Sequence, residues 1–172
     1  VDLDTPGFSV RRVEDAMGLR GIPEAELLFD DCRVPKENLL LAAAGKEGLK
    51  KLLAAYNAQR VGASAVALGL AQGALDLALD YMLKREAFGQ RIAGFQGLRW
   101  MMAECEIKVQ AARSLIYRAA CNGRLVANNA IFPDMHEAAV AKAYTARAAF
   151  EVVSDCLQMF GARGYSRELP LE

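Results

Sequence analysis

The sequence predicts a mainly α-helical protein, an antiparallel helical bundle preceded by a remnant of a β-domain. Two patterns predict it. From about Gly45 onward, apolar residues recur at i, i+3 and i+4, the spacing of one face of an α-helix. Before that point, short β-branched and aromatic runs are bounded by glycine and proline. We therefore expect the last strands of a β-domain in residues 1–41, and in residues 42–172 a helical bundle that is truncated before its final helices.

The strand candidates are Phe8–Val10 and Glu26–Phe29, and Val34-Pro35 ends the second of them with a turn. Two or three strands alone expose unpaired edges and are rarely stable. We interpret this segment as part of a larger sheet, and both ends of the chain as cuts.

Three long helices with short connections predict the bundle. The first runs from about Gly45 for close to forty residues, with Gly62, Gly69 and Gly73 expected as tight packing points. The second spans Gln96 to Cys121 and is closed by Asn122-Gly123. The third opens at Asp134, a capping residue followed by Glu137 at the capping-box position, and ends near Phe160. On the second helix one stripe is expected to be buried, namely Leu98, Met101, Met102, Cys105 and Val109.

The totals exclude several classes of protein. Basic and acidic residues balance at 21 each, so no overall charge attracts nucleic acid or an anionic membrane. The single histidine, His136, argues against a histidine-based zinc site or a Ser-His triad, and we expect no metal. We expect no apolar run that reaches the roughly 20 residues needed to span a bilayer. The spacing of the four cysteines favours buried reduced thiols over a disulfide framework.

Two glycine-bearing segments, Arg85–Gln90 with Gln96 and the later Gln158–Gly164, each follow a long helical pattern. Arginine offers a fixed fork of donors to phosphate oxygens, and glycine lets the backbone come close to a ligand. By itself, Arg85 could equally be a solvated arginine at a helix end, and the later segment could be only a helix C-cap with a glycine turn.

The order and spacing of these segments resemble the C-terminal helical domain of acyl-CoA dehydrogenases. The amino-terminal segments Asp4–Phe8, Met17–Gly21 and Leu28–Pro35 resemble the last strands of the middle β-domain of that family, so the resemblance covers nearly the whole chain. Ala87 departs from the Thr or Ser often found at its position. Ala162 and Arg163 depart from the common Gly-Gly-x-Gly form, and Ile22-Pro23-Glu24 departs from a Ser/Thr-rich stretch.

The resemblance implies FAD as the cofactor. It implies that Arg85 contacts the FAD pyrophosphate, that Phe88 packs near the cofactor, and that Gln96 belongs to the same cofactor site. It also implies that Gln158, Gly161 and Gly164 lie along the pyrophosphate and adenosine half of FAD. In the family the arginine reaches the flavin cofactor of a neighbouring subunit, so the resemblance implies a homo-oligomer, a dimer of dimers.

The resemblance also implies an acyl-CoA substrate, contacted by Tyr56, Asn57 and Arg60, although Arg60 could instead be an ordinary salt-bridged arginine. Gln59 stands where some family branches carry the catalytic glutamate, and an amide cannot accept the α-proton. We therefore expect no catalytic residue in this chain, a general base beyond Glu172, and no dehydrogenase activity from the 172 residues alone.

In the intact protein the implied reaction is α,β-dehydrogenation of an acyl-CoA thioester, with an electron-transfer flavoprotein as the electron acceptor. We expect it in the cytoplasm of a bacterium rather than in a mitochondrial matrix. Two alternatives remain open. One is an acyl-CoA dehydrogenase-like flavoprotein with another acyl-CoA elimination chemistry. The other is a non-catalytic helical oligomerisation module, in which the glycine turns are only caps.

Overall fold

The structure, a computed structural model, describes residues 1–39, 46–126 and 130–171. These residues fall into two compact units, Val1–Gly48 and Leu49–Glu172. The amino-terminal unit holds one antiparallel hairpin, β1 (Phe8–Val13) and β2 (Ala25–Phe29), in which Phe8 pairs with Phe29 and the register shifts between Val10 and Arg12. Both predicted strands are confirmed.

Gly7 determines how this hairpin begins. Its φ is +83°, and a Cβ there would lie 2.1 Å from the carbonyl oxygen of Asp30, so only glycine fits. The Gly7 carbonyl accepts a hydrogen bond from the Asp30 N–H at 2.8 Å. Both faces of the two strands carry exposed side chains, including those of Val10, Leu27 and Phe29.

Three helices build the carboxy-terminal unit: α1 (Lys46–Lys84), α2 (Gln96–Cys121) and α3 (Met135–Met159). A hairpin of two-residue strands, β3 (Glu86–Ala87) and β4 (Gln90–Arg91), connects α1 to α2. A second hairpin, β5 (Gly123–Val126) with β6 (Ala130–Pro133), precedes α3. The helical bundle is confirmed, whereas neither hairpin was predicted.

Small side chains let the three helices approach closely. Alanines occupy the buried stripes of all three, among them Ala74 and Ala78 on α1, Ala112 on α2, and Ala141 on α3. Larger groups fill the remaining space, chiefly Met82, Val109, Val152, Cys105 and Cys156. The predicted stripe of α2 is confirmed: Cys105 and Val109 are fully buried, and Leu98, Met101 and Met102 pack against the core while partly exposed.

The cap at the start of α3 forms as predicted. The Asp134 carboxylate accepts hydrogen bonds from the N–H groups of His136 and Glu137 at 3.0 and 3.2 Å. The Glu137 side chain turns toward α2, where Oε1 accepts a hydrogen bond from the Asn122 amide at 3.2 Å and lies 3.6 Å from Nε of Arg118. Asp134 and Glu137 therefore fix the beginning of α3 against the end of α2.

Two expectations about α1 are wrong. A Cβ at Gly62, Gly69 or Gly73 would meet nothing within 4 Å, so these glycines face open surface instead of a tight contact. The segment Gly48–Lys84 is also long and apolar enough to cross a membrane, with a mean hydropathy of 1.4. A core helix has the same length and composition, and Ala71, Leu75 and Met82 place α1 in the core of this bundle.

Candidate functional site

The hairpin after α1 presents the first of the predicted site residues. The Arg85 N–H donates to the Tyr81 carbonyl at 2.8 Å and continues the hydrogen bonding of α1, while its carbonyl accepts from the Ile92 N–H at 2.9 Å. The Arg85 side chain is exposed, and it forms no ion pair with residues 1–39, 46–126 or 130–171. The backbone of Arg85 thus closes the base of the hairpin, and its guanidinium faces outward.

Phe88 is the most unusual residue of the chain. Phe88 and Gly89 form the two-residue turn between β3 and β4, with φ of +53° and +81°, as a type I′ turn requires. A left-handed conformation costs a non-glycine residue about 1–2 kcal/mol. Phe88 is also 96% exposed, and its ring meets the edge of Phe95, with the ring centroids 6.2 Å apart. An exposed aromatic side chain held in a strained turn is typical of a contact surface.

Gln96 is the exposed first residue of α2. The N-cap residue is Phe95, whose side chain has no oxygen or nitrogen to accept a hydrogen bond. The first N–H groups of α2 therefore have no side-chain cap from this residue. Uncapped N–H groups and the positive end of a helix dipole favour an anion. Arg99 holds the preceding turn in place, because its Nε and Nη2 donate to the carbonyls of Ala93 and Gly94 at 2.9 and 3.0 Å.

The second glycine-bearing segment lies at the same end of the bundle. Tyr81, one turn before Arg85, packs against Phe160, which directly precedes Gly161, with ring centroids 4.6 Å apart. This contact between the ends of α1 and α3 brings together the two segments that the sequence separates. The exposed side chain of Gln158 lies on the last turn of α3.

Gly161 and Gly164 serve the turn in different ways. Gly161 has a φ of +59° and open space where a Cβ would stand, so its backbone is free to approach a ligand. Gly164 is buried, and a Cβ there would lie 2.2 Å from the carbonyl oxygen of Leu157. The packing of the turn against α3 therefore accounts for glycine at position 164 without any ligand.

Asn57 and Arg60 form the second predicted cluster, in the first half of α1. Asn57 is 5% exposed, its Nδ2 donates to the Pro133 carbonyl at 3.2 Å, and its Oδ1 accepts from Arg60 Nη1 at 2.6 Å. Both polar atoms of the amide are thus in use, which fits a residue that positions Arg60. Arg60 is half-buried and forms no ion pair with any residue that the structure describes, so its charge is open to an anionic ligand.

Tyr56 is half-exposed next to Asn57, and Gln59 is exposed next to Arg60. Within residues 1–39, 46–126 and 130–171, no group of His, Cys, Asp and Glu could hold a metal ion. Residues 60 and 85 are 25 positions apart. At 1.5 Å per residue, α1 separates the two arginines by about 37 Å, so they cannot line a single small pocket within one chain.

Arg99 is not among the residues that the sequence predicts for the site, and in the structure it fixes the turn that leads into α2. The expectation of buried thiols is confirmed for Cys105 and Cys156, whereas Cys121 is exposed and Cys32 is half-buried. Only the three-dimensional contacts reveal these differences.

Residues 46–172 match the family described as "Acyl-CoA dehydrogenase, C-terminal domain". The chain is 50% identical over 171 residues to 3-sulfinopropanoyl-CoA desulfinase from Paraburkholderia xenovorans, covering 98% of this chain and 42% of that protein. Its fold is similar to butyryl-CoA dehydrogenase from Megasphaera elsdenii, with a TM-score of 0.89 and 34% identity over 99% of this chain and 43% of that one.

The fold is also similar to a solved chain from the work on the electron transferring flavoprotein of Acidaminococcus fermentans and flavin-based electron bifurcation. The TM-score is 0.89 and the identity 41%, covering 99% of this chain and 43% of that one. The chain thus spans less than half the length of the relatives it matches. With the family match over residues 46–172 and 50% identity to a relative, the chain belongs to the acyl-CoA dehydrogenase family.

Proposed function

We propose that the intact protein is an FAD-containing enzyme that acts on an acyl-CoA thioester. The observation that carries this proposal is the environment of Arg60, whose half-buried guanidinium is held by one amide and by no carboxylate of the described residues. Burial of an unneutralised cation is costly, and an anionic substrate removes that cost. An acyl-CoA carries such charge, and the family supplies the class of ligand.

The other end of α1 fits FAD. The exposed Arg85 offers a fork of donors to a pyrophosphate, Gln96 stands at an uncapped helix N-terminus, and Gly161 leaves its backbone open. Phe88 would pack against the cofactor or its surroundings, and Gln158 would donate from its amide. Gly164 would act indirectly, by holding the turn that carries Gly161. FAD, when bound, supplies the electron-accepting chemistry of the site.

We propose removal of a sulfino group from a short acyl-CoA such as 3-sulfinopropanoyl-CoA as the specific reaction. The 50% identity to a desulfinase over 98% of the chain supports it. The reaction breaks the bond between C3 and sulfur, and water contributes hydrogen to the carbon and hydroxide to the sulfur. Propanoyl-CoA and sulfite result, and no electrons leave the enzyme. The amide of Gln59 in place of a carboxylate agrees with a reaction in which this position removes no α-proton.

A second candidate is α,β-dehydrogenation of an acyl-CoA, supported by the structural similarity to butyryl-CoA dehydrogenase. That reaction needs a base and an outlet for two electrons. An electron-transfer flavoprotein would be the acceptor, as the similarity to the chain from Acidaminococcus fermentans suggests. We place either reaction in the bacterial cytoplasm.

One experiment separates the two reactions. The intact purified protein is given 3-sulfinopropanoyl-CoA without any electron acceptor, and sulfite and propanoyl-CoA are measured. In parallel it is given butyryl-CoA with a dye acceptor, and reduction of the dye is followed. Sulfite release without dye reduction supports desulfination, and the reverse supports dehydrogenation. Absence of both activities in a yellow, FAD-containing preparation would refute the proposed substrates, and a colourless preparation would refute FAD.

We also propose a homo-oligomer, a dimer of dimers. Exposed apolar residues follow the outside of α1, where Val66, Leu70 and Leu77 lie beside the open glycines Gly69 and Gly73. A row of exposed apolar side chains of this kind is typical of a surface that another subunit covers. The distance of about 37 Å between the two arginine clusters also fits a site shared between subunits. Light scattering of the intact protein tests it, and a monomer would refute it.

A further inference from the structure

Two half-buried arginines of the bundle, Arg60 on α1 and Arg113 on α2, each donate a hydrogen bond to a side-chain amide. Neither forms an ion pair with any residue of the part of the chain that the structure describes. The charge of Arg113 is nevertheless compensated. Its Nη2 donates to Gln72 Oε1 at 2.7 Å, and Nε2 of the same amide donates to Asp76 Oδ1 at 2.9 Å. The chain of hydrogen bonds that begins at Arg113 therefore ends on a carboxylate.

The hydrogen bonds that begin at Arg60 end differently. Its Nη1 donates to Asn57 Oδ1 at 2.6 Å, and Asn57 Nδ2 donates to the neutral Pro133 carbonyl at 3.2 Å. Among the described residues, no carboxylate stands at the end of this chain of hydrogen bonds. A half-buried charge without a counter-ion is costly. Of the two arginines, Arg60 is therefore the one whose charge is available to an anionic ligand.

The sequence of α1 around Arg60 lacks acidic residues. None occurs between Glu47 and Asp76, whereas Lys50 and Lys51 add positive charge to the same half of the helix. Like charges repel and opposite charges attract most strongly where water is partly excluded. An anion that binds Arg60 therefore meets no repulsion from a carboxylate of this segment.

The geometry of the Arg60 guanidinium indicates which anion fits. Asn57, which is 5% exposed, accepts from Nη1, whereas Nε and Nη2 have no hydrogen-bond partner among the described residues. This open edge offers two parallel donors, which match the two oxygens of a carboxylate or a sulfinate. One guanidinium neutralises one negative charge, and the phosphates of CoA carry several. Because burial of excess charge is costly, a half-buried guanidinium favours a monoanion.

The surroundings of Arg60 on α1 are apolar. Leu53, Tyr56, Ala63 and Ala67 stand seven or four positions before it and three or seven positions after it, and these positions share its face of the helix. Leu53 and Tyr56 are each 47% exposed, and Ala67 is half-buried. The methylene groups of a short acyl chain can pack on these side chains while its terminal group binds the guanidinium.

We infer that Arg60 binds the anionic terminal group of a short acyl chain, and that it thereby selects such acyl-CoA thioesters over neutral ones of the same length. The inference rests on the proposed acyl-CoA substrate, and it assigns the guanidinium to the acyl end of that substrate instead of the phosphates of CoA. In the proposed desulfination this terminal group is the sulfinate. The neutral amide of Gln59, next to Arg60, adds no charge that would repel it.

Two thioethers of CoA test this inference in the intact, FAD-loaded protein. S-(3-carboxypropyl)-CoA and S-butyl-CoA have equally long chains, and only the first ends in a carboxylate, a stable substitute for the sulfinate. Both lack the carbonyl group that makes α-protons acidic, so neither reacts. Isothermal titration measures the Kd of each. We expect the unaltered protein to bind the carboxypropyl thioether about tenfold more tightly, or better, because only this ligand gains a charged hydrogen bond.

Variants assign this preference to Arg60. Arg60→Met should weaken binding of the carboxypropyl thioether about ten- to a hundredfold and binding of the butyl thioether by less than about threefold. Arg60→Lys, which keeps the charge but loses the fork of donors, should lie between the unaltered protein and Arg60→Met. Arg113→Met is the matched control, because Arg113 is also half-buried and also donates to an amide, and it should leave the ratio of the two affinities unchanged.

Two results would overturn the inference. One is an equal loss of affinity for both thioethers in Arg60→Met, because it would show that Arg60 contacts the CoA part or acts only on the fold. The other is equal binding of both thioethers by the unaltered protein, a result that needs no variant to fold.

Release of sulfite from 3-sulfinopropanoyl-CoA distinguishes this inference from the proposed reaction. Sulfite release by a protein that binds both thioethers equally would refute the role of Arg60 and leave the proposed reaction standing. A tenfold preference for the carboxypropyl thioether that Arg60→Met removes, without sulfite release, would support the role of Arg60 and refute the proposed reaction.

Discussion

Asn57 is the residue whose replacement tests the candidate acyl-CoA site most directly. Asn57→Leu keeps the branching and the number of side-chain heavy atoms but removes two hydrogen bonds, the 3.2 Å bond to the Pro133 carbonyl and the 2.6 Å bond from Arg60. A hydrogen bond to a charged group contributes about 1.5–3 kcal/mol, and a neutral one about 0.5–1.5 kcal/mol. We therefore expect the free energy of unfolding to fall by about 2–4 kcal/mol, as measured by urea denaturation.

Loss of stability alone would not show that Arg60 binds a ligand, so a second substitution is needed. Asn57→Asp keeps an oxygen beside Arg60 Nη1 but adds a negative charge that neutralises the guanidinium. If Arg60 holds an anionic group of the substrate, this variant should bind an acyl-CoA about ten- to a hundredfold more weakly, which corresponds to about 1.5–3 kcal/mol. If Arg60 has only a structural role, the affinity should stay unchanged.

The assay is isothermal titration of the intact, FAD-loaded protein with a non-reacting acyl-CoA analogue. Asn122→Leu is the matched control, because Asn122 is exposed and its side chain makes one hydrogen bond to the described part of the chain, to Glu137. It should change neither affinity nor stability by more than about 0.5 kcal/mol. Unchanged affinity in Asn57→Asp would refute our assignment of Arg60 to the substrate.

Three further substitutions have distinct expected outcomes. Arg85→Ala should lower FAD affinity about ten- to a hundredfold in an equilibrium dialysis measurement, whereas replacement of the exposed Arg147 by Ala should leave it unchanged. Equal flavin content in the two variants would contradict the assignment of Arg85 to the FAD site. Gly164→Ala should lower the free energy of unfolding, measured by urea denaturation, by about 1–3 kcal/mol, and Gly161→Ala by about 1 kcal/mol, because only the first drives a Cβ into a backbone carbonyl. The opposite order would show that the turn can shift. Thr145→Val should raise the melting temperature by about 2–4 °C, since the buried Thr145 hydroxyl has no hydrogen-bond partner among the described residues. A lower melting temperature would instead reveal that the hydroxyl has a partner, such as a buried water.

The helices could be predicted from the sequence because their signal is dense and local. α2 begins at Gln96 and ends at Cys121 as predicted, since an apolar stripe and the Asn122-Gly123 stop mark its limits. The two hairpins could not be predicted in the same way. Strands of two residues show no alternation, and a turn with Phe88 before glycine lacks the Asn-Gly or Asp-Gly signature of its type.

The site could be predicted only in part, because its contacts join distant positions. The sequence indicated Asn57 and Arg60 as neighbours, but not that the Pro133 carbonyl, 76 positions away, holds Asn57 in place. The glycine at position 164 was assigned to a ligand, although packing against Leu157 already requires it. A sequence pattern shows which residue types occur at which spacing. Only the fold shows which of their atoms already have hydrogen-bond or packing partners.

The length of α1 has a consequence for genetics. Its 39 residues make it a rigid spacer that keeps Arg60 and Arg85 about 37 Å apart. Consider an assembly in which each active site takes Arg60 from one copy and Arg85 from another. The number of intact sites would then depend on whether the two defects lie in different copies or in the same copy. A mixed pair of subunits, one lacking Arg60 and the other lacking Arg85, would contain one site with both defects and one site with none. Alleles altered at opposite ends of this helix would therefore partly complement each other, whereas alleles altered at the same end would not.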